Sequence, residues 1–401
     1  MQKPLRILGI VNLPWDPRLG AARVWFELSE QWKKVGYKID KFCLSDAFPK
    51  PTRSRALSAW RQAVFPWRAA RFVRRNAEKY DVIDCLIGTL PFSKKSLRFQ
   101  GLLVGRSIGL YLSYDEFIKF SRQRWPDQPR GKFLGRVFYT FTSWLLGRSA
   151  DRALAHCDLF NVPNENEKQR LEKLTTAPTI VLPYGLNEPE RAALGAAAQS
   201  APQRLGRKEI CFLGMWGVRK GSCDWPEIVR AILNSVPDAR FAFLGTMTDE
   251  QTVRHDLDFA SIESIRCLTS YDPKELPQLI SRSAVGLFPS YIEGFGLSVL
   301  EQLASGIPTI AYDVPGPRHI FKNNGAQFLV PVGNTKAMIN RALEILRMNE
   351  SDYSALSAKC RQIAAQFRWE QIAADTTREY TAVLARQGSE NRQREARTVS
   401  V

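Results

Sequence analysis

The residues best suited to chemistry lie in PSYIEGFGLSVLEQLASGIPTIAYDVPGP, positions 289–317. A strand ends at Pro289, and a loop follows with Glu293 and two glycines, Gly294 and Gly296. A helix is expected from about Leu297 to Ser305, stopped by Gly306, with Pro308 opening the next strand. Glycines at a helix N-terminus let a ligand approach backbone N–H groups where the helix dipole favours an anion such as phosphate. Glu293 before the helix and Glu301 one turn inside it can face one crevice at the carboxyl ends of the strands. Carboxylates placed there accept hydrogen bonds from hydroxyl groups.

EGFGLSVLE, with the flanking ASGIPTIAYDVPG, resembles the E-x7-E motif of family-4 retaining glycosyltransferases. The likeness extends over most of the chain. It implies an α/β fold of the GT-B type, two Rossmann-like parallel-sheet domains facing a central cleft. By that resemblance Glu293 binds sugar hydroxyls and belongs to the catalytic set, Glu301 binds the ribose, and the backbone at Phe295, Gly296 and Leu297 faces the donor phosphates, with Gly294 also binding the donor. A second match, FLGMWGVRKGSCDWPEIVRAI, is similar to the strand, K-G loop and helix that open the family's C-terminal domain. It implies that Lys220 meets the charge developing on the pyrophosphate leaving group. Where the family often has Arg after the strand's glycine this chain has Met215, so Arg219 is the expected substitute.

The N-terminal half departs further from the pattern. PRLGAARVWFELSEQWKKVGYKI stands for a G-G-x-E loop, with Leu19 and Gly20 for the glycines and Ala22 for the Glu. LLVGRSIGLYLSYDEF resembles the R-S-H-G segment, keeping Arg106 but carrying Ile108 in place of the His. Gly20, Arg106 and Ile108 are therefore the expected acceptor-side residues. LPYGLN at 182–187 replaces an N-G-x-D loop with Tyr184 and Asn187.

Metal chemistry has little material. Three histidines are far apart, seven cysteines are scattered without a C-x-x-C pair, and the D-x-D at Asp256 and Asp258 lacks the strand context of a metal-binding pair. No cofactor and no divalent metal are expected. His319 follows the donor loop and is read either as touching the nucleotide sugar or as standing behind the residues that do, and Trp369 as a core aromatic.

The elements that must position these residues alternate between strand-length apolar runs and helical patterns, the mark of βαβ units. Strands are expected near 5–12, 37–44, 81–87, 102–106, 158–162 and 179–182, then at 209–214, 239–245, 284–290 and 307–313. Helices are expected near 22–35, 56–79, 133–150 and 164–174, at 273–283 and from 334. The expected organisation is an acceptor-side domain over 1–187, a linker over 188–208 and a nucleotide-sugar domain over 209–368. A helix over 369–386 packs back on the first domain, and 387–401 forms a disordered tail.

The chain has 401 residues, too many for one core; 44% apolar and 24% charged residues exclude wholesale disorder. No run reaches the length of a membrane span, and the apolar stretch near the N-terminus is too short for a signal sequence. The net charge of +17 is uneven: up to residue 190 there are 32 basic residues against 18 acidic. From Lys50 to Arg75 there are eight basic residues and no acidic one, with Trp60, Phe65, Trp67 and Phe72 interleaved. That run suits an anionic membrane surface, whereas no recognisable module supports nucleic-acid binding.

These readings converge on a metal-independent retaining hexosyltransferase moving a sugar from a nucleotide-sugar donor to a glycan or lipid-linked acceptor in bacterial surface polysaccharide or glycolipid assembly. It would be cytoplasmic and peripheral on the inner face of the plasma membrane. The alternative is a catalytically degenerate GT-B protein that binds a nucleotide sugar or partner enzyme without turnover.

Overall fold

The computed structural model describes residues 4–109, 111–126, 147–258 and 263–399. Within them the chain forms two six-stranded sheets, each wholly parallel and each in its own compact unit. The expected α/β architecture is thus observed. The first unit contains residues 1–108, 127–183 and 369–401, and the second contains residues 109–126 and 184–368.

In the first unit β1 (Arg6–Val11), β2 (Lys38–Cys43), β3 (Val82–Leu86), β4 (Leu102–Arg106), β5 (Leu159–Val162) and β6 (Thr179–Val181) line up as β2-β1-β3-β4-β5-β6. β1 and β3 are almost entirely apolar because helices cover a parallel sheet on both faces. The helix Gly20–Lys34 turns Trp25 and Trp32 inward. The helix beginning at Trp369 joins the same core: Trp32 Nε1 donates to the Ala373 carbonyl at 3.0 Å. Tyr380 donates to Asp84 at 2.6 Å.

In the second unit β7 (Glu209–Leu213), β8 (Arg240–Leu244), β9 (Ile265–Leu268), β10 (Ser283–Phe288), β11 (Thr309–Tyr312) and β12 (Leu329–Val330) are ordered β12-β11-β10-β7-β8-β9. β9 and β12 escape the sequence reading because both are short edge strands; Arg266 interrupts the apolar run of the first, and the second has two residues.

Three expectations need correction. Residues 188–208 are no linker but two helices, Glu188–Ala197 and Ala201–Arg207. Asn187 caps the first by accepting from Glu190 N at 2.9 Å, and Ser200 with Gln203 forms a capping box on the second. Arg204 then anchors the pair in the second unit by donating to the Ser281 and Ser305 carbonyls at 2.9 and 2.8 Å. Next, residues 387–399 continue the helix Trp369–Val399 in place of a disordered tail, since no proline breaks the pattern. Finally, residues 109–126, expected in the first domain, belong to the second unit and include the helix Tyr111–Arg124. The expected helix at 133–150 lies mostly outside the described residues.

Candidate active site

The site is built at the carboxyl ends of β7 and β10 in the second unit. After β7 the chain passes Gly214, makes a single 3-10 turn at Val218–Lys220 and reaches Gly221 in the left-handed region, φ +84°. A Cβ on Gly221 would lie 2.3 Å from the Pro289 carbonyl oxygen, so only glycine lets this loop settle on the end of β10. Tyr291 N donates to the Arg219 carbonyl at 2.9 Å and fixes the two loops together.

That seam brings Lys220 to Glu293. Their side chains form an ion pair while only 13% and 17% exposed, and Lys220 Nζ also sits 4.8 Å from the centre of the Phe288 ring. Burial lowers the Lys220 pKa and the neighbouring Arg219 lowers it further, while Glu293 opposes both. Arg219 reaches the Ile292 carbonyl at 3.4 Å and lies 5.6 Å over the Tyr114 ring.

Beyond Glu293, Phe295 is buried and Gly296 takes φ +100° as the N-cap of the helix Leu297–Ala304. Val299 N donates back to the Gly296 carbonyl at 2.9 Å, closing the first turn. Gly316 N donates to the Glu293 carbonyl at 3.1 Å and so ties the start of the helix Pro315–Phe321 to the motif. Glu301 is buried on that helix, one turn beyond Leu297. Lys220, Arg219, Glu293, Gly294, Phe295, Gly296, Leu297 and Glu301 thus share one unit and one sheet end.

Gly20, Arg106 and Ile108 lie in the first unit. Gly20 opens its helix with open space around it, and Ile108 is half-buried. Arg106 is fully buried: it pairs with Asp84 at 2.7 Å and donates to Tyr380 at 3.0 Å. Through these contacts it holds the ends of β3 and β4 to the last helix. Ala22, at the family's Glu position, is also buried, while Met215 is half exposed.

The structure adds residues that the motif reading missed. Tyr291 and Tyr312 both donate to Asp224 Oδ2, at 2.8 and 2.7 Å. Burial raises the Asp224 pKa against the pull of those two hydroxyls. Phe117, Phe120 and Trp125 surround the Tyr291 ring at centroid distances of 6.1, 5.6 and 5.0 Å. The available signal was polar residues at the carboxyl ends of two adjacent strands facing a carboxylate at a helix start. Tyr184 packs on Phe295 at 5.4 Å, and His319 lies between Phe295 and Phe367, where burial lowers its pKa to about 4.

Asp256 of the D-x-D accepts from Trp216 Nε1 at 2.8 Å, and Asp258 is an exposed partner of Arg230. Among the described residues no three His, Cys, Asp or Glu side chains gather as a metal-binding group. All seven cysteines are free thiols.

Residues 197–366, which contain the Lys220 loop and the segment from Glu293 to Glu301, match the family of glycosyl transferases group 1. The chain carries a group 1 glycosyltransferase domain. Among its relatives, phosphatidyl-myo-inositol mannosyltransferase of Mycobacterium leprae is 26% identical over 51% of this chain and 54% of its own. GDP-mannose:cellobiosyl-diphosphopolyprenol alpha-mannosyltransferase of Xanthomonas campestris is 21% identical over 60% of this chain and 62% of its own. The chain therefore spans little more than half the length of these curated relatives. Among solved structures, sucrose-phosphate synthase of Thermosynechococcus elongatus superposes with a TM-score of 0.72 at 18% identity, covering 95% of this chain and 99% of that one. Anabaena HepE in complex with UDP-glucose gives 0.64 at 14% identity, covering 94% and 99%. The glycosyltransferase fold is GT-B.

Proposed function

We propose that this glycosyltransferase is a family-4, retaining, metal-independent hexosyltransferase with a nucleotide-sugar donor and a glycan or lipid-linked acceptor. Its setting is bacterial surface polysaccharide or glycolipid assembly, in the cytoplasm and peripherally on the inner face of the plasma membrane. The observation that carries this reading is the Lys220–Glu293 pair at the glycine turn that opens the helix Leu297–Ala304. A cation, a carboxylate and a helix N-terminus at one sheet end match a leaving pyrophosphate, a sugar hydroxyl and a phosphate respectively. The relatives' names supply both nucleotide-sugar donors and lipid-linked acceptors.

In this reading Lys220 and Arg219 stabilise charge on the departing diphosphate, Glu293 orients the sugar and Glu301 the ribose. The backbone at Phe295, Gly296 and Leu297 faces the phosphates, and Gly294 also binds the donor. The acceptor hydroxyl attacks on the face that the phosphate leaves, and the phosphate takes its proton. Gly20 and Ile108 line the acceptor side, with Arg106 positioning the strand ends. Ile108 in place of an imidazole favours the second reading, donor or partner binding without turnover. Calorimetry on Glu301→Gln tests the donor assignment: losing hydrogen bonds to ribose costs ~1–3 kcal/mol of nucleotide affinity. Unchanged affinity removes Glu301 from the site.

A further inference from the structure

The helix Arg55–Asn76 in the first unit has two unlike faces. Phe65, Ala69 and Val73 are fully buried, and Phe72 stacks on Phe42 with ring centres 4.6 Å apart. On the opposite face Leu57, Trp60 and Trp67 are 40%, 51% and 54% exposed. Arg71 and Arg75 extend that same stripe one and two turns beyond Trp67. Packing therefore accounts for the phenylalanines of the run and leaves Trp67 outward, while Trp60 meets the Phe48 ring edge-on at 5.8 Å and keeps half of its surface exposed.

The arginines divide in the same way. Arg68 donates to the Ala47 carbonyl and lies 4.3 Å over the Phe48 ring, and Arg74 donates to the Ser96 carbonyl at 2.8 Å. The side chains of Arg71 and Arg75, and of Lys50 and Arg53 just before the helix, are exposed and make no hydrogen bond or ion pair among the described residues. An indole has an apolar body and a polar N–H, which places it at the boundary between headgroups and acyl chains. Guanidinium groups beside it match lipid phosphates, and no acidic side chain lies between Lys50 and Arg75 to oppose them.

We propose that this outward face is a docking surface for an anionic lipid bilayer. Leu57, Trp60 and Trp67 enter the interface, and Lys50, Arg53, Arg71 and Arg75 bind its phosphates. The inference rests on the reading that the acceptor is lipid-linked. Arg68 and Arg74, equally charged in the sequence, take no part because they are spent on the protein itself.

The test is co-sedimentation with phosphatidylcholine vesicles, with and without about one third phosphatidylglycerol, at physiological ionic strength. Wild type should partition to the anionic vesicles with blue-shifted tryptophan emission. Arg71→Gln with Arg75→Gln should lower that partition about tenfold, and Trp60→Ser with Trp67→Ser should lower it similarly and abolish the blue shift. Arg68→Gln with Arg74→Gln should change it less than threefold. Thermal melts establish that each variant is folded. If wild type binds but the outward variants bind equally well, this face is overturned while the lipid reading stands. If wild type binds no vesicle and instead self-associates or pulls down only acidic protein, the proposal fails. Transfer to a detergent-solubilised lipid acceptor then decides separately whether the lipid-acceptor reading fails with it.

Discussion

Replacing Lys220 by Met separates the structural from the chemical work of the Lys220–Glu293 pair. The two side chains are mostly enclosed, so removing the cation leaves Glu293 as an unpaired carboxylate with little water around it. Breaking a buried pair in this way costs ~3–5 kcal/mol; the exposure of Glu293 puts the cost near ~2–3 kcal/mol. For a unit of this size that is a fall of roughly 5–10 °C in melting temperature. Changing Glu293 to Gln in the same protein removes the stranded charge, so the double variant should melt within about 3 °C of wild type. Turnover should behave differently. If Lys220 meets charge that develops on the leaving diphosphate, Lys220→Met lowers kcat and kcat/KM together, by ~100- to 1000-fold, at a temperature where the variant is folded. Because burial and Arg219 lower the Lys220 pKa, the required cation is lost as pH rises, and wild-type activity should decline at lower pH than an ordinary lysine would impose. Nucleoside diphosphate release from the donor, followed continuously, measures all three. A folded Lys220→Met enzyme with kcat within about threefold of wild type would refute the reasoning, leaving the lysine a strut.

Gly221→Ala should destabilise the second unit by ~2–3 kcal/mol, the sum of a left-handed backbone and a Cβ driven against the Pro289 carbonyl, whereas Gly217→Ala, with extended backbone and open space, should be nearly neutral. Denaturant titration of the two variants checks the contrast. His319 titrates at about 4 when folded and near 6.5 when unfolded, so the unfolded chain binds the extra proton and stability falls as pH drops from about 6.5 to 4. The loss amounts to ~3 kcal/mol, and His319→Phe should flatten that part of the stability profile. Transfer should survive EDTA, because Lys220, Arg219 and a helix N-terminus are assigned to the phosphates; activity lost in EDTA and restored by Mn or Mg contradicts that assignment.

The sequence carried the sheet-forming strands where apolar runs were long and bounded by glycine or proline, as in β1, β7 and β10. Edge strands such as Leu329–Val330 were not legible, since two residues give no periodicity. Residues 188–208 were misread because helices there are held by caps and by one buried arginine, Arg204, and not by a large apolar face. The Glu293–Leu297 segment was legible because its glycines and carboxylates are contiguous. Asp224, Tyr291 and Tyr312 were not, because they come from a helix start and two strand ends far apart in sequence. The run from Lys50 to Arg75 was legible as charge, but only the packing shows which arginines are committed to the protein.

The central claim is catalysis of sugar transfer with retention. The most direct measurement is incubation of the purified protein with a panel of nucleotide sugars and a lipid or glycan acceptor, followed by NMR of the product's anomeric centre. The account predicts acceptor-dependent release of nucleoside diphosphate and a product with the same anomeric configuration as the donor, both lost in Lys220→Met. Binding of a donor without turnover on any acceptor, or a product of inverted configuration, would contradict it.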